Sequence, residues 1–198
     1  MSKIITSKNR TKRETITLRA AALFRKKGFA GTTMRELAEE MGIEASSLYN
    51  HIGSKFEMLE EICFRVAESF HSHLDEVEKK QQSPTTSIES LIRFHINMML
   101  DDFDSVYVAN HEWKQLKEPE LSSFLQLRKN YENRMIEMVT KGMELKQFSQ
   151  GNASVIVFTI LSALRGLELW QRHKKNITKE ELEKTMTKQL LHGILKTN

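Results

Sequence analysis

Two prolines and eight glycines in a chain of 198 residues leave few places where a helix must stop. Apolar residues recur at three- and four-residue spacing along almost the whole length, so the sequence predicts an all-α protein of about nine helices, with no strand and no internal repeat. Residues 11–27 carry Ile16, Ala20, Leu23 and Phe24 at helical spacing and end at Gly28. Thr33-Met34-Arg35-Glu36 has the form of a capping box, in which the threonine oxygen accepts a first-turn amide and the glutamate reaches back. It opens a short helix that stops at Gly42. Residues 45–52 predict a third short helix. Ser54-Lys55-Phe56-Glu57 is a second capping box, opening a long helix that runs to about residue 82, where Ser83-Pro84 breaks it. A further helix reaches about residue 103 and a shorter one covers roughly 105–116. Pro119 suits the first turn of the next, whose stripe includes Leu121, Phe124, Leu127, Tyr131, Met135 and Met138. Residues 146–152 read as a loop. Residues 153–171 are apolar on most sides, which requires burial on more than one side. Thr178 caps a last helix.

Charge divides the chain unevenly. Residues 1–35 hold 10 basic side chains and 1 acidic one, whereas residues 61–198 hold 19 of each sign. Positive charge gathered at one end of a neutral body is the footprint of a polyanion-binding module, although a solvated basic tail has the same composition. The single cysteine, Cys63, excludes an internal disulfide and suits a reducing cytoplasm. With no apolar signal core and no run of about 18 apolar residues, neither export nor a membrane span is expected.

The stretch EASSLYNHI, residues 44–52, places two hydroxyls, a phenol, an amide and an imidazole in one short helix-sized window. Only Leu48 and Ile52 are apolar enough to hold it down. A first helix with Leu37, Ala38 and Met41 inside, a turn at Gly42, and a second helix with exposed polar groups make a helix-turn-helix. Ala45, Ser46, Ser47, Tyr49 and Asn50 are left free. Small residues at the start of the second helix allow close approach to a major groove. Taken singly, Tyr49 could pack on the domain surface and His51 could cap a neighbouring helix.

Residues 28–62, GFAGTTMRELAEEMGIEASSLYNHIGSKFEMLEEI, resemble the DNA-binding domain of tetracycline-repressor (TetR) type transcriptional regulators. Gly28-Phe29, Thr32-Thr33, Leu37-Ala38, Met41-Gly42-Ile43, Leu48-Tyr49, His51 and Lys55 carry the resemblance. It implies phosphate contacts from Thr33, Tyr49, His51 and Lys55, and base-facing positions for Arg35, Ala45, Ser46 and Ser47. Ile52 stands where an aromatic is commonest, and Gly53 replaces a frequent lysine. The implied organisation is a helix-turn-helix domain over residues 1–55, including the start of the fourth helix, and a ligand-binding and dimerisation domain over 56–198.

In that family the last two helices of each subunit build a four-helix dimer interface. Here Leu182, Met186, Leu190 and Ile194 form a stripe on the last helix. The excess of apolar faces on residues 153–171 favours a homodimer over a purely internal core. NHEWKQL (110–116) and LQLRKNYENRMIEMVTKG (125–142) are similar to the effector domain of the branch linked to fatty-acid and steroid catabolism, whose members respond to acyl-coenzyme A thioesters. Pocket candidates are Phe70, His95, Met99, Phe103, Tyr107, Trp113, Phe124, Arg128 and Tyr131. Arg128 or Arg165 would meet a phosphate or carboxylate, with an ion pair to Glu112 the competing role for Arg128. Met and aromatic stripes at this spacing also build ordinary cores. No metal or cofactor is expected, since His71 and His73 point to different helix faces and no glycine-rich phosphate loop or nucleophile elbow occurs. The expectation is a cytoplasmic, ligand-responsive DNA-binding repressor acting on an operator. An activator of the same fold and a helical enzyme using the apolar pocket are the alternatives.

Overall fold

A computed structural model describes residues 11–171 and 177–195. The basic residues Lys3, Lys8 and Arg10 lie outside the described residues. Ten α-helical segments follow in order: α1 (Lys12–Lys27), α2 (Met34–Met41), α3 (Ala45–Tyr49), α4 (Lys55–Lys79), α5 (Pro84–Asp101), α6 (Phe103–His111), α7 (Glu120–Glu144), α8 (Ala153–Arg165), α9 (Leu167–Gln171) and α10 (Lys179–His192). A 3-10 turn covers Trp113–Gln115. Counting α8 and α9 as one helix broken at Gly166 gives the nine expected from the sequence. Among the described residues there is no strand, only an isolated bridge between Phe148 and Leu195.

Local signals account for most of the boundaries. Thr11 and Thr33 each close a full capping box, with Glu14 and Glu36 reaching back to the cap amides. Gly42 ends α2 at φ +67°, a conformation that costs a residue with a side chain strain. Ser83 caps α5 and Pro84 occupies its first turn, so this helix begins earlier than the Thr-Thr-Ser run that follows. The second expected box is only half formed. Ser54 Oγ accepts the Glu57 amide at 3.2 Å, but the Glu57 carboxylate bonds the Gly53 amide, one residue further back. Helix α3 is shorter than expected because its last turn loosens after Tyr49.

The chain forms two compact units. The first comprises residues up to Glu68 together with Asp104–Gln126. Its core is Ile16, Ala20, Leu23, Phe24, Phe29, Leu37, Leu48, Ile52, Met58 and Leu59, all buried. The Phe24, Phe29 and Phe56 rings meet edge to face at 5.1 Å per pair. Residues 104–126 join this unit through specific contacts: an Arg25–Asp104 ion pair, a bond from Arg65 to Ser105 at 2.6 Å, and Lys117 4.0 Å above the Phe56 ring.

The second unit comprises Ser69–Phe103 and Leu127 onward. Helix α5 is its centre, packing on α8, α9 and α10. Leu74, Ile88, Leu91, Ile92, Ile96, Met135, Val139, Val157, Ile160 and Leu164 are buried there. Gly142 admits the buried Phe148 ring, since a Cβ would lie 2.2 Å from it. The end of α10 is tied to the same loop, with the Ser149 amide donating to the Ile194 carbonyl at 2.8 Å.

The segment Ala153–Trp170 has a mean hydropathy of 1.5 over 18 residues, so it is long and apolar enough to cross a membrane by length and composition. Thr159, Ser162, Arg165 and Glu168 interrupt it, which is why it does not read as a continuous apolar run. The helix itself breaks at Gly166.

Candidate functional site

The first unit presents a helix, a tight turn and a second helix. Helix α2 buries Leu37 and Ala38 and leaves Arg35, Glu39 and Glu40 exposed. The turn at Gly42-Ile43 closes with the Ile43 amide bonded to the Ala38 carbonyl at 3.0 Å. Helix α3 then buries a single side chain, Leu48, with Ile52 buried just beyond it. The rest of α3 is exposed or half-buried. Ser46 and Asn50 are exposed, Ala45 and Ser47 half-buried, and Tyr49 is 52% exposed. A five-residue helix cannot hold itself in water, so its orientation is set by those two anchors and by its neighbours.

The expected phosphate contacts fall into two groups. Tyr49 is directed to solvent, as such a contact requires. Lys55 is turned inward. Its ammonium donates to the carbonyls of Phe29 (3.0 Å) and Thr32 (2.9 Å) and lies 4.6 Å from the Phe29 ring centre. The α1–α2 turn offers the negative ends of its carbonyl dipoles, and the long lysine stem reaches them from the start of α4. Thr33 is exposed, but its hydroxyl accepts the Glu36 amide and donates to the Glu36 carboxylate at 2.9 Å. The Lys27 ammonium, with help from Thr33, holds the Glu36 carboxyl well below its usual range, at about 2. Arg35 is exposed and pairs with Glu39 one turn along α2, a contact of 3.1 Å. Such a pair contributes little in water and leaves the guanidinium available. His51 is half-buried, and its carbonyl accepts a bond from Arg13 at 2.9 Å.

Arg13 escaped the sequence reading. Besides the His51 carbonyl it contacts the carboxylates of Glu57 and Glu61. Thr17 donates to the same Glu61 at 2.9 Å. The Arg13 guanidinium, and then the Gly53 amide, hold the Glu57 carboxyl below the ordinary carboxylate range. These partners are 38 to 48 residues apart in sequence, so no local pattern announces them.

The pocket candidates divide between the units. Tyr107, Trp113 and Phe124 belong to the first, where Phe124 is buried against Phe64 at 5.9 Å and Tyr107 lies 4.3 Å from His111. Phe70, His95, Met99, Phe103, Arg128 and Tyr131 belong to the second. Three of these meet. The His95 ring stacks on Phe70 at 4.3 Å, and its Nε2 lies 2.9 Å from the Tyr131 hydroxyl. Burial pushes His95 down to about 3, with the Arg165 charge adding to the effect, and pushes the Tyr131 phenol up. Both are therefore neutral near pH 7, an uncharged polar pair among rings. Met99 is buried; Phe103 and Arg128 are half-buried. A separate cleft of about 590 Å³ lies elsewhere in this unit, lined by Val77, Glu78, Gln81, Pro84, Met138 and Lys141. None of the expected pocket residues lines it. Among the described residues no group of three or more histidine, cysteine or acidic side chains could hold a metal ion.

In the proposed dimer stripe, Leu182, Met186 and Leu190 are half-buried, while Ile194 is buried in its own chain. The tie between the end of α10 and Ser149 draws Ile194 inward. A larger apolar exposure lies on α8 and α9. Phe158 is 65%, Leu169 64% and Val155 59% exposed.

Known proteins share this architecture. Residues 16–62 match the family model described as bacterial regulatory proteins, tetR family, and residues 81–194 match the tetracyclin repressor-like C-terminal domain. The HTH-type transcriptional repressor KstR2 of Mycobacterium tuberculosis is 22% identical over 179 residues, covering 89% of this chain and 90% of that protein. The KstR2 of Rhodococcus jostii is 23% identical over 177 residues, covering 88% and 87%. Among solved structures, the M. tuberculosis ketosteroid regulator KstR2 superposes with a TM-score of 0.89 at 20% identity, covering 98% of this chain and all of that one. AibR in complex with isovaleryl coenzyme A and operator DNA gives 0.80 at 21% identity, covering 91% and 98%. With both parts matched, and more than half of its length by the C-terminal model alone, the chain belongs to the TetR family of bacterial regulatory proteins.

Proposed function

We propose that the protein is a homodimeric, cytoplasmic, ligand-responsive transcriptional repressor that binds operator DNA in the absence of its effector. The observation that carries this reading is the outward face of α3. It is a short helix with one fully buried side chain and a row of hydroxyl, amide and phenol groups in water. Small residues at its start let the backbone approach base edges, and the excess of basic residues before Arg35 supplies the attraction to phosphate. Two such heads on a symmetric dimer meet a palindromic operator. The similarity to KstR2 repressors supports repression over activation, and their role as regulators weighs against an enzyme.

The effector in this reading is an apolar, acyl-type molecule such as an acyl-coenzyme A. Two observations support it: AibR, of similar fold, forms a complex with isovaleryl coenzyme A, and aromatic rings surround the neutral His95–Tyr131 pair here. Coupling is a two-state affair: the effector binds better to a state in which α4 is re-angled and the two heads no longer match the half-site spacing. Phe70, Arg128 and Tyr131 are the pocket residues this assignment favours.

Fluorescence anisotropy with promoter fragments across a salt series tests DNA binding. Several phosphate contacts per subunit predict an affinity that falls steeply with salt. A flat response removes the reading. Mass spectrometry of small molecules released from the purified protein, followed by their titration into the DNA complex, tests the effector. Acyl thioesters that leave the complex intact would eliminate that class.

A further inference from the structure

The helix that reads DNA is too short to fix its own direction, and the residue best placed to fix it lies on another helix. We infer that Arg13 is a positioning residue for operator recognition, a brace that sets the angle of α3 by binding its C-terminal end to α4. This rests on the DNA-binding reading above.

The geometry is that of a three-way tie. Arg13 stands in the first turn of α1, and its planar guanidinium offers five donors in a fixed fork. One arm donates to the His51 carbonyl, immediately past the end of α3, at 2.9 Å. The other donors meet Glu57 and Glu61, on successive turns of α4. Both carboxylates are held from a second side as well: Glu57 accepts the Gly53 amide at 2.8 Å and Glu61 accepts the Thr17 hydroxyl at 2.9 Å. The partners are therefore themselves oriented, and the tie closes a ring through α1, the residues after α3, and α4.

The position of the tie matters more than its strength. The arginine side chain is 44% exposed, so each ion pair adds little to global stability. Removing it would leave the fold intact but free the far end of α3. Leu48 is the sole fully buried anchor within α3, and a single anchor lets a short helix pivot. Base contacts from Ser46 and Ser47, and the phosphate contact of Tyr49, depend on that angle, so a loss of direction is read out as a loss of specific binding.

Arg13 is a cation in the basic stretch, and a phosphate contact is the competing role. The two make opposite forecasts. A brace held by two carboxylates has its positive charge more than offset and offers none to DNA. A phosphate ligand loosely paired to carboxylates is held back by them.

The experiment compares Arg13→Gln, Arg13→Lys and the double variant Glu57→Gln/Glu61→Gln with the native protein. Operator affinity is measured by anisotropy across a salt series, and amide hydrogen exchange over residues 45–52 is measured in the free protein. Loss of the brace weakens operator binding by tenfold or more in Arg13→Gln, with the slope of log affinity against log salt unchanged. The double variant weakens binding too, and combining it with Arg13→Gln adds little further loss, because both remove the same tie. Arg13→Lys, which keeps charge but not the fork, lies between. Exchange over 45–52 accelerates in Arg13→Gln. The inference is overturned if the slope falls by about 1 in Arg13→Gln, the mark of one lost phosphate contact. It is equally overturned if the double variant binds DNA more tightly, or if exchange over 45–52 is unchanged. Failure of the native protein to bind DNA would count against the functional reading, while the exchange measurement still decides the brace.

Discussion

Helices α3 and α8 each leave most of one face in water, and what they expose is of opposite chemistry. Helix α3 shows hydroxyl, amide and phenol groups and buries one leucine. Helix α8 shows Val155 and Phe158, with Leu169 following on α9, and only 22% of the segment from Ala153 to Trp170 is buried. Both units have apolar cores, and the second also holds the His95–Tyr131 pair, the ring of Tyr131 buried and His95 half-buried. Polar groups in water cost nothing until a polar partner displaces that water. An apolar face in water is unfavourable from the start and calls for a second protein surface. On the function proposed above the two faces serve different partners, nucleic acid for α3 and another copy of the chain for α8.

The sharpest way to break it is to put a charge on the apolar face. In Phe158→Glu a carboxylate would enter the proposed dimer interface, at a cost of several kcal/mol unless the subunits separate. Sedimentation should show self-association weakened about a hundredfold or more, with operator affinity lost alongside, because one head makes half the contacts. A stable, DNA-competent dimer of this variant would mean that the face is not the interface.

A second test concerns which polar groups in the first unit serve DNA and which serve the fold. Lys55→Ala removes a cation from the Phe29 and Thr32 carbonyls and leaves those acceptors short of a partner. Charged hydrogen bonds of this kind contribute about 1.5–3 kcal/mol, so thermal unfolding should shift down by several degrees. DNA binding should weaken for all sequences alike. Unchanged stability would restore Lys55 to the phosphate-contact role that the resemblance implies.

The His95–Tyr131 pair of the second unit can be probed by pH. Burial depresses His95 in the folded protein to about 3, from an ordinary value near 6.5. The unfolded chain therefore takes up a proton that the folded one refuses. The stability from the neutral ring is present in full above about pH 6.5 and is lost as pH falls toward 3. The limit is about 1.4 kcal/mol per pH unit, and the half-buried ring makes the true slope smaller. Denaturation midpoints of the native protein and His95→Gln should converge between pH 6.5 and 4. Parallel curves would mean that water reaches the imidazole freely.

How much of this was legible in the sequence follows the range of the forces involved. Caps at Thr33 and Thr178, the stop at Gly42 and the anchors Leu48 and Ile52 depend on residues within four positions, and all appear as read. The outward polarity of α3 was legible for the same reason. Pairings across many residues were not. Lys55 finds carbonyls 23 and 26 positions earlier, and Arg13 finds carboxylates more than 40 positions later. Ile194 looked like a continuation of the Leu182–Leu190 stripe, but a bond from Ser149 draws that end of the chain inward. The same limit explains why residues 104–126 group with the N-terminal helices. An ion pair from Asp104 to Arg25 and a lysine on a distant ring leave no trace in helical spacing.

The smallest expected effect tests the reading face itself. Ser47 is half-buried on α3 and outside the core, so Ser47→Ala should change stability by less than about 0.5 kcal/mol. If its hydroxyl faces a base edge, binding-site selection should show relaxed preference at one base pair per half-site. The loss of discrimination would be about 1 kcal/mol, roughly fivefold, at the low end for a base contact. The salt slope should not change, because no phosphate is released. Should Lys55→Ala alter base preference while Ser47→Ala leaves it intact, the polar face of α3 would not be the reading surface. The contrast between the two exposed helices would then reduce to the apolar one alone.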